Sequence, residues 1–124
     1  MASKLLFFPL LLALTLKFSN ISAAPQVIDI TNEAAGEISI TIKDGGNLKG
    51  SARISPRQNY KINVDNVNDV YSANATFTFR LALFPAYAPG RDKGQAVVYW
   101  KADNWGFSIS YDNKNFKPVT PWRF

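Results

Sequence analysis

The carboxylates are the side chains of this sequence that come closest to a catalytic set, because the chain contains no His and no Cys. A Ser-His-Asp triad, a Cys nucleophile and a His- or Cys-ligated metal site are therefore excluded. A glycosidase needs only two carboxylates that face each other across a cleft. Asp29 and Glu33 flank a predicted turn and are the candidate pair, but the sequence gives no sign that they face each other. We therefore predict a protein that is not an enzyme and that holds no metal or cofactor.

Other carboxylates have a structural interpretation. Four of them lie in predicted turns, each beside a Gly, Asn, Lys or Arg residue, and these are Asp44, Asp92, Asp103 and Asp112. A short Asp side chain accepts hydrogen bonds from the backbone of such a turn. We assign these four carboxylates to turns and not to a reaction.

The three tryptophans could do a different chemistry, since an exposed indole ring offers a flat platform for a sugar. Trp100 follows Val98 and Tyr99 and is predicted to lie in the core. Trp105 lies in a predicted turn, and for Trp105 and Trp122 a core role and a ligand role both remain open. A lectin-like module that binds cell-wall or microbial polysaccharide is therefore the alternative function.

Four basic residues, Lys49, Arg53, Arg57 and Lys61, lie in a segment without Asp or Glu, and we call them the basic cluster. Clustered cations speed association with an anionic surface and make it sensitive to salt. We predict that the basic cluster binds a partner, either a cell-surface receptor or an anionic wall polysaccharide. Nucleic acid is not expected as the partner, because the chain is predicted to be secreted.

The prediction of secretion rests on the N-terminus, where Lys4 precedes an apolar run over residues 5–14 and Ser22-Ala23-Ala24 supplies small residues. The run is shorter than the roughly 20 residues of a membrane span, so we expect a cleaved leader over residues 1–23 and no membrane insertion. Removal of Lys4 and Lys17 lowers the formal net charge from +5 to +3. The mature domain is then residues 24–124, which we expect to be a secreted, extracellular monomer.

One N-glycosylation sequon, Asn74-Ala75-Thr76, remains after the leader is removed. A second sequon, Asn20-Ile21-Ser22, lies within the leader. Asn74 is predicted to open a strand, where its side chain stays accessible. We predict that Asn74 is a glycosylation site.

The mature segment alternates between apolar and polar residues as strands do, and it never sustains a helical period. The alternation is clearest over residues 38–42, 60–64 and 77–83, and each run is predicted to turn its apolar residues inward. Residues 27–31, 95–101 and 106–111 are further predicted strands, separated by Gly- and Asn-rich turns. Seven or eight short strands predict an antiparallel β-sandwich, with a small barrel as the alternative.

The C-terminal third carries an ordered set of aromatic and glycine residues. Val97-Val98-Tyr99-Trp100-Lys101 is followed by Gly106-Phe107 and then by Pro121-Trp122, while a predicted first strand ends at Asn32. With these motifs the chain resembles the plant self-incompatibility S-protein homologue family. The resemblance implies a secreted β-sandwich that acts as an extracellular ligand in cell-cell signalling, and it does not imply an enzyme.

The chain departs from that family pattern in lacking the cysteines that usually cross-link the sandwich, and Ile42 stands where one is expected. An apolar residue at an inward position can still be buried, so the expected fold is unchanged. Loops between strands commonly carry partner specificity, which here points to residues 44–49, 67–72 and 86–94. The last of these loops is predicted to be the most mobile.

Overall fold

The computed structural model describes residues 26–124, and these form a sandwich of nine β-strands with one short helix. The predicted leader over residues 1–23 lies outside the described residues. The strands β1 to β9, in chain order, are Gln26–Asn32, Ile38–Asp44, Asn47–Ile54, Asn59–Val64, Tyr71–Phe77, Arg80–Tyr87, Val97–Ala102, Gly106–Ser110 and Lys117–Pro121. The helix α1, Pro89–Asp92, lies between β6 and β7. Within the part of the chain that is described, no helix has the length and apolar character needed to cross a membrane.

The strands form two sheets, which confirms the predicted all-β sandwich. One sheet has five strands in the order β4-β1-β7-β8-β9, and the other has four in the order β3-β2-β5-β6. All strand pairs are antiparallel except β1 and β7, which run parallel. At one side the edge strands β3 and β4 contact each other, and at the other a backbone bridge between Leu81 and Arg123 links β6 to the chain after β9.

The alternation along the strands places one set of side chains between the sheets. In β2, Ile38, Ile40 and Ile42 are all buried, as predicted. Ile42 therefore occupies an inward position of the core, at the place where the family pattern leads one to expect a cysteine. The largest fully buried side chains of the core belong to both sheets and are Trp100, Tyr71, Tyr87 and Phe107.

The prediction of one strand over residues 77–83 with Phe79, Leu81 and Leu83 inward is wrong. A turn reverses the chain here, because β5 ends at Phe77, β6 begins at Arg80, and these two residues pair with each other. Phe79 lies at the tip of this turn and is 93% exposed.

The reversal also changes which face the later residues occupy. In β6 the side chains of Ala82, Phe84 and Ala86 are buried, whereas Leu81 and Leu83 face solvent. Thr78 supplies the turn by adopting a positive φ of 55°, which is uncommon for a residue other than glycine. Sequence alternation continues unbroken across this turn, so the pattern alone concealed it.

Apart from the hairpin of β5 and β6, two strands of the sandwich were not predicted, and both are edge strands. β3 exposes most of its residues, so it lacks the regular apolar face that indicates a strand. β9 contains Pro118 and Pro121, which cannot donate backbone hydrogen bonds. Proline is tolerated in a sheet at its edge, and β9 is the last strand of the five-stranded sheet.

Gly106 has a packing role at the start of β8. A Cβ atom on Gly106 would lie 2.1 Å from the carbonyl oxygen of Thr120 and 2.6 Å from the Cα of Pro121. Its φ of +155° also disfavours an L side chain. The glycine of the Gly106-Phe107 motif therefore permits the close approach of β8 and β9, and Phe107 is buried directly after it.

Candidate functional site

The basic cluster lies along one side of the sandwich, where the edges of the two sheets meet. Lys49 and Arg53 belong to β3, Lys61 belongs to β4, and Arg57 lies in the turn between these strands. All four residues are exposed. At Gly50 the side chain of Tyr60 from β4 packs against β3, since a Cβ atom on Gly50 would lie 2.2 Å from Tyr60 Oη.

The four cations do not share one flat face. In β3, Ala52 packs against the core and Ile54 is buried, so Arg53 between them points out from the four-stranded sheet. Lys49 lies where the pairing of β3 with β2 shifts register, and its side chain extends toward Asp65 after β4. Lys61 points out from the five-stranded sheet by the same alternation in β4. Arg57 extends from the turn between the two, with a positive φ of 68°. The basic cluster therefore wraps around the edge of the sandwich.

Carboxylates that are distant in the sequence come close to three of the four cations. Lys49 Nζ lies 3.8 Å from Asp65 Oδ2. Lys61 pairs across the strands with Asp29, and residues paired in this way face the same side of a sheet. Arg57 lines a depression together with Glu33, described below. Arg53 pairs across the strands with the neutral Ser39. It therefore has no carboxylate opposite it in the sheet.

The depression beside Arg57 has a volume of about 320 Å³, and we call it the polar depression. It is lined by Glu33, Ala34, Ala35, Pro56, Arg57 and Asn104. Next to these residues, the buried Asn32 Nδ2 donates to the carbonyl oxygens of Gly36 and Ile54 at 2.9 and 2.8 Å. Asn32 Oδ1 accepts from the amide of Ala34 at 2.8 Å. This residue at the end of β1 thus joins both sheets.

Asp29 and Glu33 do not form a facing pair. Asp29 is buried on β1 and accepts a hydrogen bond from Asn59 Nδ2 at 2.9 Å, while Glu33 is exposed at the polar depression. Asp29 does not line that depression. The two carboxyls of a glycosidase flank one cleft, and these two carboxylates do not line a shared depression. Among residues 26–124 there is also no group of three or more Asp or Glu side chains placed to hold a metal ion.

The tryptophans divide between core and surface. Trp122 is buried between Phe77 and Phe107, at ring distances of 5.6 and 5.1 Å, and its Nε1 donates to the carbonyl oxygen of Asp103 at 2.8 Å. Of the two roles left open for Trp122, the structure therefore shows the core role. Trp105 is 47% exposed at the end of the sandwich that holds the polar depression. Trp100 is buried, as predicted.

The three loops predicted to carry specificity meet at the opposite end of the sandwich, which we call the loop end. Strand pairing places Asp44 beside Tyr71 and Tyr71 beside Tyr87, so the loops over residues 44–49, 67–72 and 86–94 are neighbours. Lys93 Nζ donates to Asn68 Oδ1 at 2.9 Å between two of them. Burial and the nearby Asp69 carboxyl raise the pKa of Asp44.

The loop over residues 86–94, predicted to be the most mobile, is anchored by the fully buried Asp92. The Asp92 carboxylate accepts hydrogen bonds from the amide of Ala88 at 2.8 Å, from Arg91 Nε at 2.7 Å and from the hydroxyl of Tyr111. The guanidinium of Arg91 lies 5.3 Å from the ring centre of Trp100. Asp92 therefore has a structural role beyond that of a turn carboxylate, and the other three Asp residues assigned to turns lack this burial.

Asp103 and Asp112 act in turns as predicted. Asp103 Oδ1 accepts from the amides of Trp105 and Gly106 at 2.9 and 3.1 Å. Asp112 Oδ1 accepts from the amides of Lys114 and Asn115 at 2.9 and 2.8 Å. These backbone donors lower the pKa of Asp112 below its usual range.

The bond between Tyr111 and Asp92 predicts a loss of stability at alkaline pH. Burial and the Asp92 carboxylate raise the pKa of Tyr111 from 10.0 to about 12. Below pH 10 the phenol is protonated in both folded and unfolded chains. Between these two pKa values the unfolded chain releases the proton first, so the contribution of Tyr111 to stability is lost as the pH rises. Melting temperatures from pH 9 to about pH 12 should fall more steeply for the parent protein than for Tyr111→Phe. Equal slopes would contradict the assignment.

Asn74 lies in the middle of β5 and does not open a strand, because β5 begins at Tyr71. Its side chain is nevertheless exposed, on the outer face of the four-stranded sheet. Accessibility follows here from strand alternation, since Ala73 and Ala75 on either side are buried.

The fold defines the class of protein to which this chain is similar. It matches the solved structure of a self-incompatibility protein homologue with a TM-score of 0.65 over 81% of this chain and 96% of that chain. That structure is described as representing a widespread family of small, highly stable, secreted proteins from plants. The two chains are 13% identical, so the likeness is one of fold. No protein-family model and no curated protein sequence matches this chain.

The resemblance predicted from the C-terminal motifs is thus confirmed at the level of the fold. The structure explains why the resemblance depended on so few residues. Trp100, Phe107 and Trp122 pack in one aromatic cluster with Phe84, which lies 4.6 Å from Trp100 and 4.4 Å from Phe107 between ring centres. Gly106 permits the strand contact beside them. The motif is therefore a core motif, and it carries no information about a partner.

Proposed function

We propose that this chain is a secreted, non-enzymatic plant protein of the self-incompatibility homologue type that acts as an extracellular ligand. The fold it shares with a secreted plant protein supports secretion. The observation that carries the binding role is the placement of the basic cluster, whose four exposed cations follow the two adjacent edge strands β3 and β4. The partner is an anionic surface, on a receptor or on a wall polysaccharide.

The shape of the basic cluster favours an elongated partner. The stretch from Lys49 to Arg57 comprises roughly 17 Å of extended strand up to Ile54 and then a turn. Arg53 lies midway between them without a carboxylate opposite it in the sheet. A flexible acidic chain can follow this edge, whereas a flat surface contacts only the cations on one side. An acidic polysaccharide or an extended acidic peptide fits this geometry.

Reversing the charges of Arg53 and Arg57 to Glu is expected to weaken binding to polygalacturonate roughly tenfold or more, because exposed charges steer association by such factors. The matched control is the pair Lys114→Glu and Lys117→Glu, two exposed cations on the far side of the sandwich. It makes the same change in net charge at another place.

Affinity is measured for both double variants at low and at physiological salt. Binding by the parent should fall with salt, since exposed charges are screened over ~8 Å at physiological ionic strength. Both variants should melt like the parent, because exposed substitutions change stability by about 0.5 kcal/mol or less. Equal loss of binding in the two double variants would show a response to net charge alone and contradict a site at the β3 and β4 edge.

The exposed ring of Trp105 supports the lectin-like alternative. Trp105 follows Asn104, which lines the polar depression, so an indole face, an amide and the Glu33 carboxylate lie at one end of the sandwich. Such a set resembles a sugar site in its chemistry. Quenching of Trp fluorescence by iodide should then be relieved by added oligosaccharide, and the relief should disappear in Trp105→Phe. Unrelieved quenching with neutral and acidic oligosaccharides would remove this alternative.

A further inference from the structure

The outer face of the four-stranded sheet carries apolar side chains where a soluble protein usually has polar ones. On β6, Leu83 is 62% exposed and Leu81 is also exposed. Phe124 is 99% exposed and lines a small hollow with Leu81 and Leu83. Contiguous apolar patches on a soluble protein commonly mark a covered or binding surface.

The sequon lies directly against this apolar strip. Asn74 on β5 pairs across the strands with Leu83, and Thr76 pairs with Leu81. Paired residues point to the same face with Cβ atoms about 5 Å apart. The side chain that accepts a glycan and the threonine that completes the sequon therefore both lie beside an exposed leucine.

A shallow groove runs through the same position. It has a volume of about 630 Å³, within the ~300–1,000 Å³ range of small-ligand sites. Leu83 and Pro85 provide an apolar side, and Thr41, Lys43 and Ser72 provide polar groups around Asn74. An N-acetylglucosamine unit has the matching chemistry, with an apolar face of C–H groups, an acetyl methyl group and hydroxyls at its rim.

We propose that Asn74 carries an N-linked glycan whose first sugars lie in this groove and cover Leu83. In the transfer step, Asn74 Nδ2 bonds to the anomeric carbon of an oligosaccharide held on a lipid diphosphate. The C–O bond to the diphosphate breaks, the lipid diphosphate leaves, and the amide proton passes to a base of the transferase. The exposed position of Asn74 leaves room for the product after folding.

This inference goes beyond the proposed function and depends on none of the partner's properties. It assigns the apolar face to the protein's own modification, whereas the basic cluster lies on β3 and β4. In the four-stranded sheet β2 separates β3 from β5. Arg53 points from the same outer face as Asn74 but lies two strands away, at roughly 10 Å.

Full-length protein is expressed with its own leader in plant cells, and intact mass is measured before and after treatment with a peptide N-glycosidase. The parent and Thr76→Ser should lose the mass of a glycan, while Thr76→Val and Asn74→Gln should show no glycan. Thr76 is exposed, so Thr76→Val should fold, and it is the matched partner of Thr76→Ser. Secreted parent protein without a glycan overturns the inference alone. Parent protein kept inside the cell without a glycan overturns it together with the proposed secretion.

The position of the glycan is tested by NMR on the secreted parent. The acetyl methyl of the first sugar should show a nuclear Overhauser contact to the Leu83 methyls. Enzymatic removal of the glycan from the folded protein should increase the fluorescence of a bound apolar dye several-fold, and Leu83→Ser should suppress that increase. A glycan without the contact, and with dye binding unchanged by its removal, overturns its placement in the groove.

Discussion

Replacing Trp100 with alanine is expected to lower the free energy of unfolding by about 3 to 5 kcal/mol, as large aromatic truncations in cores do. The Trp100 ring is fully buried on β7 and lies 4.6 Å from the ring of Phe84 and 6.5 Å from that of Phe107. Its Nε1 donates to the carbonyl oxygen of Ala86 at 2.9 Å, which joins the two sheets. Truncation removes the packing and leaves that carbonyl without its donor.

Chemical unfolding measures this loss. The redox conditions need no control, because the chain contains no cysteine. Trp105→Ala is the matched control, since it removes the same side chain from a half-exposed turn. It should cost about 1 kcal/mol or less, in line with other surface substitutions. A small domain has only about 5 to 15 kcal/mol of stability in total. Equal losses in the two variants would place Trp100 outside the core.

Replacing Asp92 with alanine is expected to cost about 3 kcal/mol, because removal of one partner of a buried ion pair typically costs 3 to 5 kcal/mol. The low end applies since the Arg91 side chain is partly exposed and can regain water. The change also leaves the amide of Ala88 and the hydroxyl of Tyr111 without their acceptor. The loop over residues 86–94 should then open before the sandwich unfolds.

Trypsin provides the local measurement, because Arg91 and Lys93 are cleavage sites on either side of Asp92. Cleavage at these two positions should accelerate in Asp92→Ala under native conditions. The control is Asp65→Ala, which removes an exposed ion pair with Lys49 and should cost no more than about 1 kcal/mol. Cleavage rates that are the same in Asp92→Ala and in the parent would show that Asp92 does not hold the loop.

Strand prediction from the sequence worked where one face of a strand is buried over its whole length. β2 is such a strand, and its three inward isoleucines showed it directly. The hairpin of β5 and β6 was hidden because apolar residues continue at every second position from Phe77 to Leu83. The side chains that fill the core from β6 include two small alanines, Ala82 and Ala86, which give a weak apolar signal.

The sequence predicted which cations form the candidate site, but it did not predict which carboxylates lie beside them. The sequence identified the basic cluster by the absence of acidic residues nearby in the chain. The sheets bring Asp29, Glu33 and Asp65 to its cations from other segments, and only tertiary pairing reveals this. The burial of Asp92 was missed for the same reason, since Tyr111 reaches it from nineteen residues away.

The parallel pairing of β1 with β7 determines the order in which this chain can fold during synthesis. β1 gains one neighbour when β4 emerges, but its other edge stays open until β7 has been made. An open edge offers unpaired backbone groups to any other extended chain, and contacts between distant segments form slowly. The first described strand thus waits longest for both of its neighbours, which makes β1 the segment of the newly made chain most exposed to aggregation and to capture by chaperones.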